Sequence, residues 1–149
     1  MQNAMQSAMT AAPSRIVERL IEDVLNRGDL ATIPTLVAAD VNDHQAIIFA
    51  QPDGPGGVAA GVALFLRAFP DIRCRIDELL AVGDRVVARL TLAGTNTGDY
   101  RGLPAPTGEY ARWEAIAIFR IADGAVAEIW GCADRLGLLT QLGILPDLG

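Results

Sequence analysis

The chain has 149 residues, a formal net charge of −6, 51% hydrophobic side chains, two cysteines, one histidine and twelve basic residues, every one an arginine. One domain of this length buries a core without crosslinks, lysine-borne Schiff-base chemistry is excluded, and a zinc or iron centre built on several histidines cannot be assembled within one chain, so no bound metal is expected. With no basic cluster, the counterion-release contribution that dominates nucleic-acid affinity is missing; no run reaches a membrane-spanning length, and the start lacks the features of a secretion signal, so a cytoplasmic location is expected.

Residues 1–13, rich in Ala, Met and Gln, are read as a flexible N-terminal tail, and residues 14–149 as a single domain. From Ser14, a natural capping residue, Ile16, Val17, Leu20, Ile21, Val24 and Leu25 form one apolar stripe of a helix that ends at Gly28. Asp29 opens a shorter helix with a kink or restart at Pro34, which has no N–H to give. Val41 to Ala50 reads as a short strand carrying Asp43 and His44. The Gly/Pro-rich stretch from Gln51 to Gly57 is incompatible with regular structure and suits a pocket rim.

Val58 to Phe69 reads as a helix stopped by Pro70. Two strands follow, Ile72 to Val82 and Arg85 to Gly94, joined at Gly83-Asp84. Thr95 to Gly108 is an irregular excursion that carries Tyr100. Two runs rich in Ile, Val, Phe and Trp then flank Asp123-Gly124, a dipeptide that favours a tight hairpin turn. Leu136, Leu139 and Leu142 fall at helical spacing before Gly143, a suitable C-terminal stop. Helices first, antiparallel strands next and a closing helix last make an α+β domain.

Five pieces recur in this order in one known family: Phe69-Pro70-Asp71, the turn from Val82 to Val86, Gly94-Thr95-Asn96-Thr97-Gly98, Gly102-Leu103-Pro104 with Pro106-Thr107-Gly108, and Trp130 through Gly143. Over roughly residues 14–143 the chain resembles the SnoaL-like polyketide cyclases of the NTF2-like superfamily. The resemblance implies a conical roll, a curved antiparallel sheet wrapped by N-terminal helices around a deep cavity. It also implies an apolar, polyketide-like small-molecule substrate and no cofactor. Counting back from Asp134, the aspartate that serves as acid/base in those cyclases falls at Gly131, and its partner histidine at Ala117. The related epoxide hydrolases would match Arg89 alone, whereas ketosteroid isomerases take their base from the early strand region, where this chain has Asp43 and His44.

Pairing about Asp123-Gly124 sets residues whose numbers sum to about 248 opposite one another, so Trp113, Ala115, Ala117, Phe119, Ile129, Gly131 and Ala133 share one face. Arg120 and Glu128 meet as an ion pair on the other. His44 is the one side chain that titrates near neutral pH by default, and it is the candidate proton-transfer group with Asp43 beside it; the alternative is a histidine that holds the rim. Arg89 is either an oxyanion-binding cation or the partner of Glu78. Asp134 is either an acid/base group or the N-cap of the closing helix, and the second is favoured.

Trp113 and Tyr100 suit a clamp on a flat ligand, with Phe65, Phe119 and Ile129 as further apolar lining and Gly131 and Ala117 leaving room. Cys74 and Cys132 read as small core residues. The expected function is a cofactor-free cyclase or isomerase working by enolate-type acid/base chemistry. Alternatives are a hydratase or epoxide-opening enzyme of the same fold, and a non-catalytic protein that binds an apolar ligand. Association into a homodimer or homotetramer is expected through apolar Ile116, Ile118, Trp130 and Cys132 on the face away from the cavity.

Overall fold

A computed structural model describes residues 2–44, 52–100, 102–103, 105–147 and 149. Residues 45–51, which cover the end of the expected first strand and the start of the rim loop, lie outside the described residues, as does Pro104. The elements in order are α1 (Gln2–Arg19), a π-helical segment (Leu20–Asn26), a 3₁₀ turn (Leu30–Thr32), α2 (Ile33–Leu36), β1 (Val37–Asp43), α3 (Pro55–Ala68), β2 (Arg73–Val82), β3 (Arg85–Thr95), β4 (Tyr110–Ala122), β5 (Ala125–Ala133) and α4 (Arg135–Gln141).

The strands form one open curved sheet in the order β1-β5-β4-β3-β2, with β1 parallel to β5 and every other pair antiparallel. The α+β class is the one read from the element order, and the curved roll is the one the resemblance implies. Both central hairpins close where the turn dipeptides predict. Asp123 and Gly124 take φ of 50° and 75°, the paired left-handed conformation of a two-residue hairpin turn whose twist matches its strands. Ala117 faces Gly131 and Phe119 faces Ile129 as the pairing sum requires, and the register slips by one between Arg120 and Ile121. A bulge of this kind places one extra residue on β5 and tightens the approach to the turn.

Three boundaries differ from expectation. Helix α1 begins at Gln2, and both Pro13 and Ser14 lie inside it rather than at its start. Strand β1 starts at Val37, four residues before Val41, and ends at Asp43. Helix α3 starts at Pro55 rather than Val58, with the proline in the first turn, where its missing N–H is one of the unsatisfied donors anyway. The same reasoning covers Pro34, which sits at the start of α2 and breaks nothing.

The core lies between the helices and one face of the sheet. Val86, Ala88, Leu90 and Leu92 of β3 are buried there and pair with Phe119, Ala117, Ala115 and Trp113 of β4. Val17, Leu20, Ile21 and Val24 from the N-terminal helix and Phe69 after α3 cover them. Each fully buried aliphatic or aromatic side chain of this kind contributes about 1.5–3 kcal/mol. Among the described residues, no helix is long and apolar enough to cross a membrane.

Candidate functional site

A cavity of about 210 Å³ opens between the π-helical segment, α3 and the β1-β5-β4 part of the sheet. Leu20, Ile21 and Leu25 form one wall, Val58, Val62, Leu64 and Phe65 of α3 a second, and Phe119 with Ile129 the sheet floor. Asp43, at the end of β1, is the one ionisable side chain among these lining residues. Its register explains why: Asp43 pairs with Ile129 and therefore shares the inner face.

His44 is on the other side of the sheet. Alternation turns the next residue outward, and the imidazole stacks on Trp130 with ring centroids 4.6 Å apart and planes 10° from parallel. Its Nε2 lies 3.2 Å from Oε1 of Glu128, which also pairs with Nε of Arg120. The Arg120 bond, followed by that from His44, holds the Glu128 carboxyl below its usual range. Asp43 and His44, grouped in sequence as one acid/base unit, are thus separated by the thickness of the sheet.

Arg89 also faces away from the cavity. It shares the outer face with its cross-strand partner Ile116, and its guanidinium lies 3.4 Å from Glu78 and 3.7 Å from Asp77. The inner positions of β3 are Val86, Ala88, Leu90 and Leu92, not the set containing Arg89. Asp77, the extra residue of a bulge between Ile76 and Glu78, accepts from Thr91 Oγ1 at 2.6 Å and from Arg75 Nε at 2.6 Å, and those bonds lower its pKa. This outer network occupies Arg89 without a ligand.

Asp134 caps α4: its Oδ1 accepts from the Gly137 N–H at 2.8 Å. Asp71 has a comparable role, accepting from the backbone N–H of Thr95 at 2.7 Å and from its hydroxyl at 2.8 Å, which lowers its pKa. Burial pushes the Cys74 thiol up to about 12, whereas Cys132, expected in the core, is exposed on the outer face.

The expected aromatic clamp is a packed cluster. Phe69 lies 5.1 Å from Trp113 and 6.0 Å from Tyr100 between ring centroids, and Tyr100 lies 6.0 Å from Phe65. Trp113 is 3% exposed, so it supports the site from behind, while Phe65 reaches the cavity itself. Ala117 and Gly131 are half-buried cross-strand partners on the inner face, between this cluster and Phe119.

Asn96, in the sequence simply one member of the Gly94–Gly98 piece, has a structural role of its own. Its buried carboxamide donates to Ala68 O at 3.3 Å and Gly98 O at 3.0 Å and accepts from Thr107 N at 3.0 Å. It ties the excursion carrying Tyr100 to the end of α3. Gly98 belongs to the same contact, because a Cβ there would stand 1.8 Å from Arg67 O. An asparagine followed two residues later by glycine at a strand end was the available signal.

Residues 15–142 match the family model of the SnoaL-like polyketide cyclase. The chain belongs to the SnoaL-like polyketide cyclase family. Among curated proteins it is similar to DauD, the aklanonic acid methyl ester cyclase of Streptomyces sp. (strain C5), with 29% identity over 136 residues that span 90% of this chain and 73% of DauD. Among solved structures it is similar to TsrD from Streptomyces laurentii, with a TM-score of 0.82 and 30% identity over 91% of this chain and 97% of TsrD. AclR, a candidate hydroxylase from Streptomyces galilaeus, aligns with a TM-score of 0.78 and 27% identity over 94% of this chain and 90% of AclR. The roll is therefore the NTF2-like fold of that family, and a role of the cyclase or isomerase type follows from membership.

Proposed function

We propose that this chain is a cofactor-free cyclase or isomerase that acts on an apolar, polyketide-like small molecule, with Asp43 as the proton-transfer group. The observation that carries this reading is the position of Asp43, the carboxyl that lines the cavity beside apolar Leu20, Phe65, Phe119 and Ile129 among the described residues. His44, preferred from its titration range, stands on the opposite face against Glu128 and Trp130, out of reach of anything bound inside. A base must come within hydrogen-bond distance of the proton it removes.

In this mechanism the Asp43 carboxylate removes a proton α to a substrate carbonyl. The enolate carbon attacks a second carbonyl of the same molecule, forming the ring-closing C–C bond. The Asp43 carboxyl then returns the proton to the new alkoxide, so mass is unchanged unless water is later lost. Tyr100, whose ring packs on Phe65 of the cavity wall, is the donor we assign to the developing enolate oxygen. Apolar walls exclude water and favour the folded substrate. DauD, a cyclase by name, supports ring closure as the reaction class.

The test is incubation with poly-β-keto ester mimics, with products scored by mass. Cyclisation at constant mass is expected, and addition of water would point to the hydratase or epoxide-opening alternative. Asp43→Asn, nearly the same in shape, should lower turnover by about a hundredfold or more, the scale of a positioned acid/base group, with little change in melting temperature. Full activity in that variant overturns the assignment. A second reading, a binding protein without catalysis, draws on Ala117 and Gly131, which leave no titratable group at the positions of the family's pair. Tight binding with no turnover of any mimic would favour it. We further propose that chains associate through the outer face of the sheet.

A further inference from the structure

Successive residues of an extended strand project from opposite faces, so whatever holds His44 on the outer face also sets the direction of Asp43 on the inner one. His44 is held three ways. Its N–H donates to Ile129 O at 2.9 Å, its ring lies flat on Trp130 at 4.6 Å, and its Nε2 meets Glu128 at 3.2 Å. Glu128 is fixed in turn by Arg120, and the Arg85 guanidinium sits 5.1 Å from the Trp130 ring centroid.

These contacts bracket one point of the sheet. Asn42 pairs with Glu128 and Asp43 with Ile129, so the partners of His44 come from the same stretch of β5 that supplies the cavity floor under Asp43. Among the described residues β1 is an edge strand joined to the sheet through β5, and the strand spans Val37–Asp43. At the next residue the backbone bond from the His44 N–H to Ile129 O and the outer-face contacts of its ring hold the chain to β5.

Taking Asp43 as the base of the proposed reaction, we propose that His44 is a positioning residue, whose outer-face anchorage on Trp130 and Glu128 fixes the Asp43 carboxylate in the cavity. The charged groups around the imidazole are Glu128 in direct contact, Arg120 and Arg85 one contact further, and Asp84 and Asp40, which act on Arg120.

Three variants separate the contributions: His44→Phe keeps a ring on Trp130, His44→Gln keeps a donor toward Glu128, and His44→Ala keeps neither. Hydrogen exchange at the amides of Asp43 and His44 needs no substrate and reads the anchorage directly. It should accelerate in His44→Ala and less so in His44→Phe; unchanged exchange in His44→Ala overturns the proposal. In turnover of a β-keto ester, His44→Ala should lower kcat by about tenfold or more with KM little changed, the effect of a misplaced group rather than a missing one. His44→Phe should recover most of that loss.

If His44→Phe is as inactive as His44→Ala while Asp43→Asn remains active, the imidazole itself moves the proton, and both the base assignment and the proposal fall. If Asp43→Asn is inactive but His44→Ala turns over at the wild-type rate, the base assignment survives and the positioning role alone is refuted.

Discussion

Asn26 ends the π-helical segment that walls the cavity, and its carboxamide fastens that segment to the edge strand β2. Oδ1 accepts from the Cys74 N–H at 2.7 Å and Nδ2 donates to the Cys74 carbonyl at 2.8 Å, so the side chain replaces the strand that the sheet lacks on this side. Asn26→Ala leaves both backbone groups without these partners. An unsatisfied buried group costs about 1–3 kcal/mol, and because the contact is only part-buried the low end applies, roughly 2 kcal/mol for the pair. For a domain of this size that lowers the melting temperature by about 4–8 °C.

Asn26→Asp is the sharper test. The acceptor is kept, but an oxygen replaces Nδ2, 2.8 Å from the Cys74 carbonyl oxygen and 3.2 Å from Oε2 of Glu22. Repulsion on the order of 1 kcal/mol, the value for two unit charges about 4 Å apart in water, makes this variant worse than Asn26→Ala at neutral pH. The introduced carboxyl is more easily protonated in the folded state than in the unfolded chain. The difference from wild type should therefore shrink at acid pH and grow as pH rises through the raised folded pKa. Thermal unfolding followed by circular dichroism across pH reads both effects. A loss below about 0.5 kcal/mol for Asn26→Ala, the scale of an ordinary surface change, or an Asn26→Asp variant more stable than Asn26→Ala at neutral pH, refutes the reasoning.

Asp71, Asp77 and Glu128 are all held below reference values of 3.8, 3.8 and 4.5. Their contribution to stability is complete above those values and is lost as pH falls through the lowered folded ones, so the melting temperature should drop on acidification below about pH 4 and hold above it. Thr91→Val, which removes the largest cause of the Asp77 shift, should move that carboxyl back toward its reference value by NMR titration; an unchanged titration disproves the attribution. Ile116 is 52% exposed at the centre of the outer face, and Ile116→Arg should convert a sedimenting dimer or tetramer to the 15.8 kDa monomer. A wild-type chain that is already monomeric at micromolar concentration removes the interface.

Much of the sheet was legible because it depends on local chemistry. Asp123-Gly124 and Gly83-Asp84 dictate where the chain reverses, and once the turn is placed a period of two assigns partners to within the one-residue slip of a bulge, which is why Ala117 meets Gly131 and Arg120 meets Glu128. The cap at Asp134 was readable for the same reason, since it involves a residue only three positions away. Helix starts were less so: proline is tolerated in the first turn of a helix as readily as in a loop, so Pro55 alone does not separate the two.

The sequence by itself thus determined the α+β order, the hairpin registers and the carboxyl and histidine candidates. Which way those candidates face was decided by tertiary structure. In β3 the face with Val87, Arg89, Thr91 and Ala93 offers small and polar residues suited to a cavity wall, and pairing of the other face with Phe119, Ala117, Ala115 and Trp113 in the core turns Arg89 outward. Asp43 and His44 are adjacent in sequence, but the parallel pairing of β1 with a strand more than eighty residues away puts the carboxyl over Ile129 in the cavity and the imidazole against Trp130 outside it. A side chain's face is a property of the partner strand, and that partner is chosen by the whole fold.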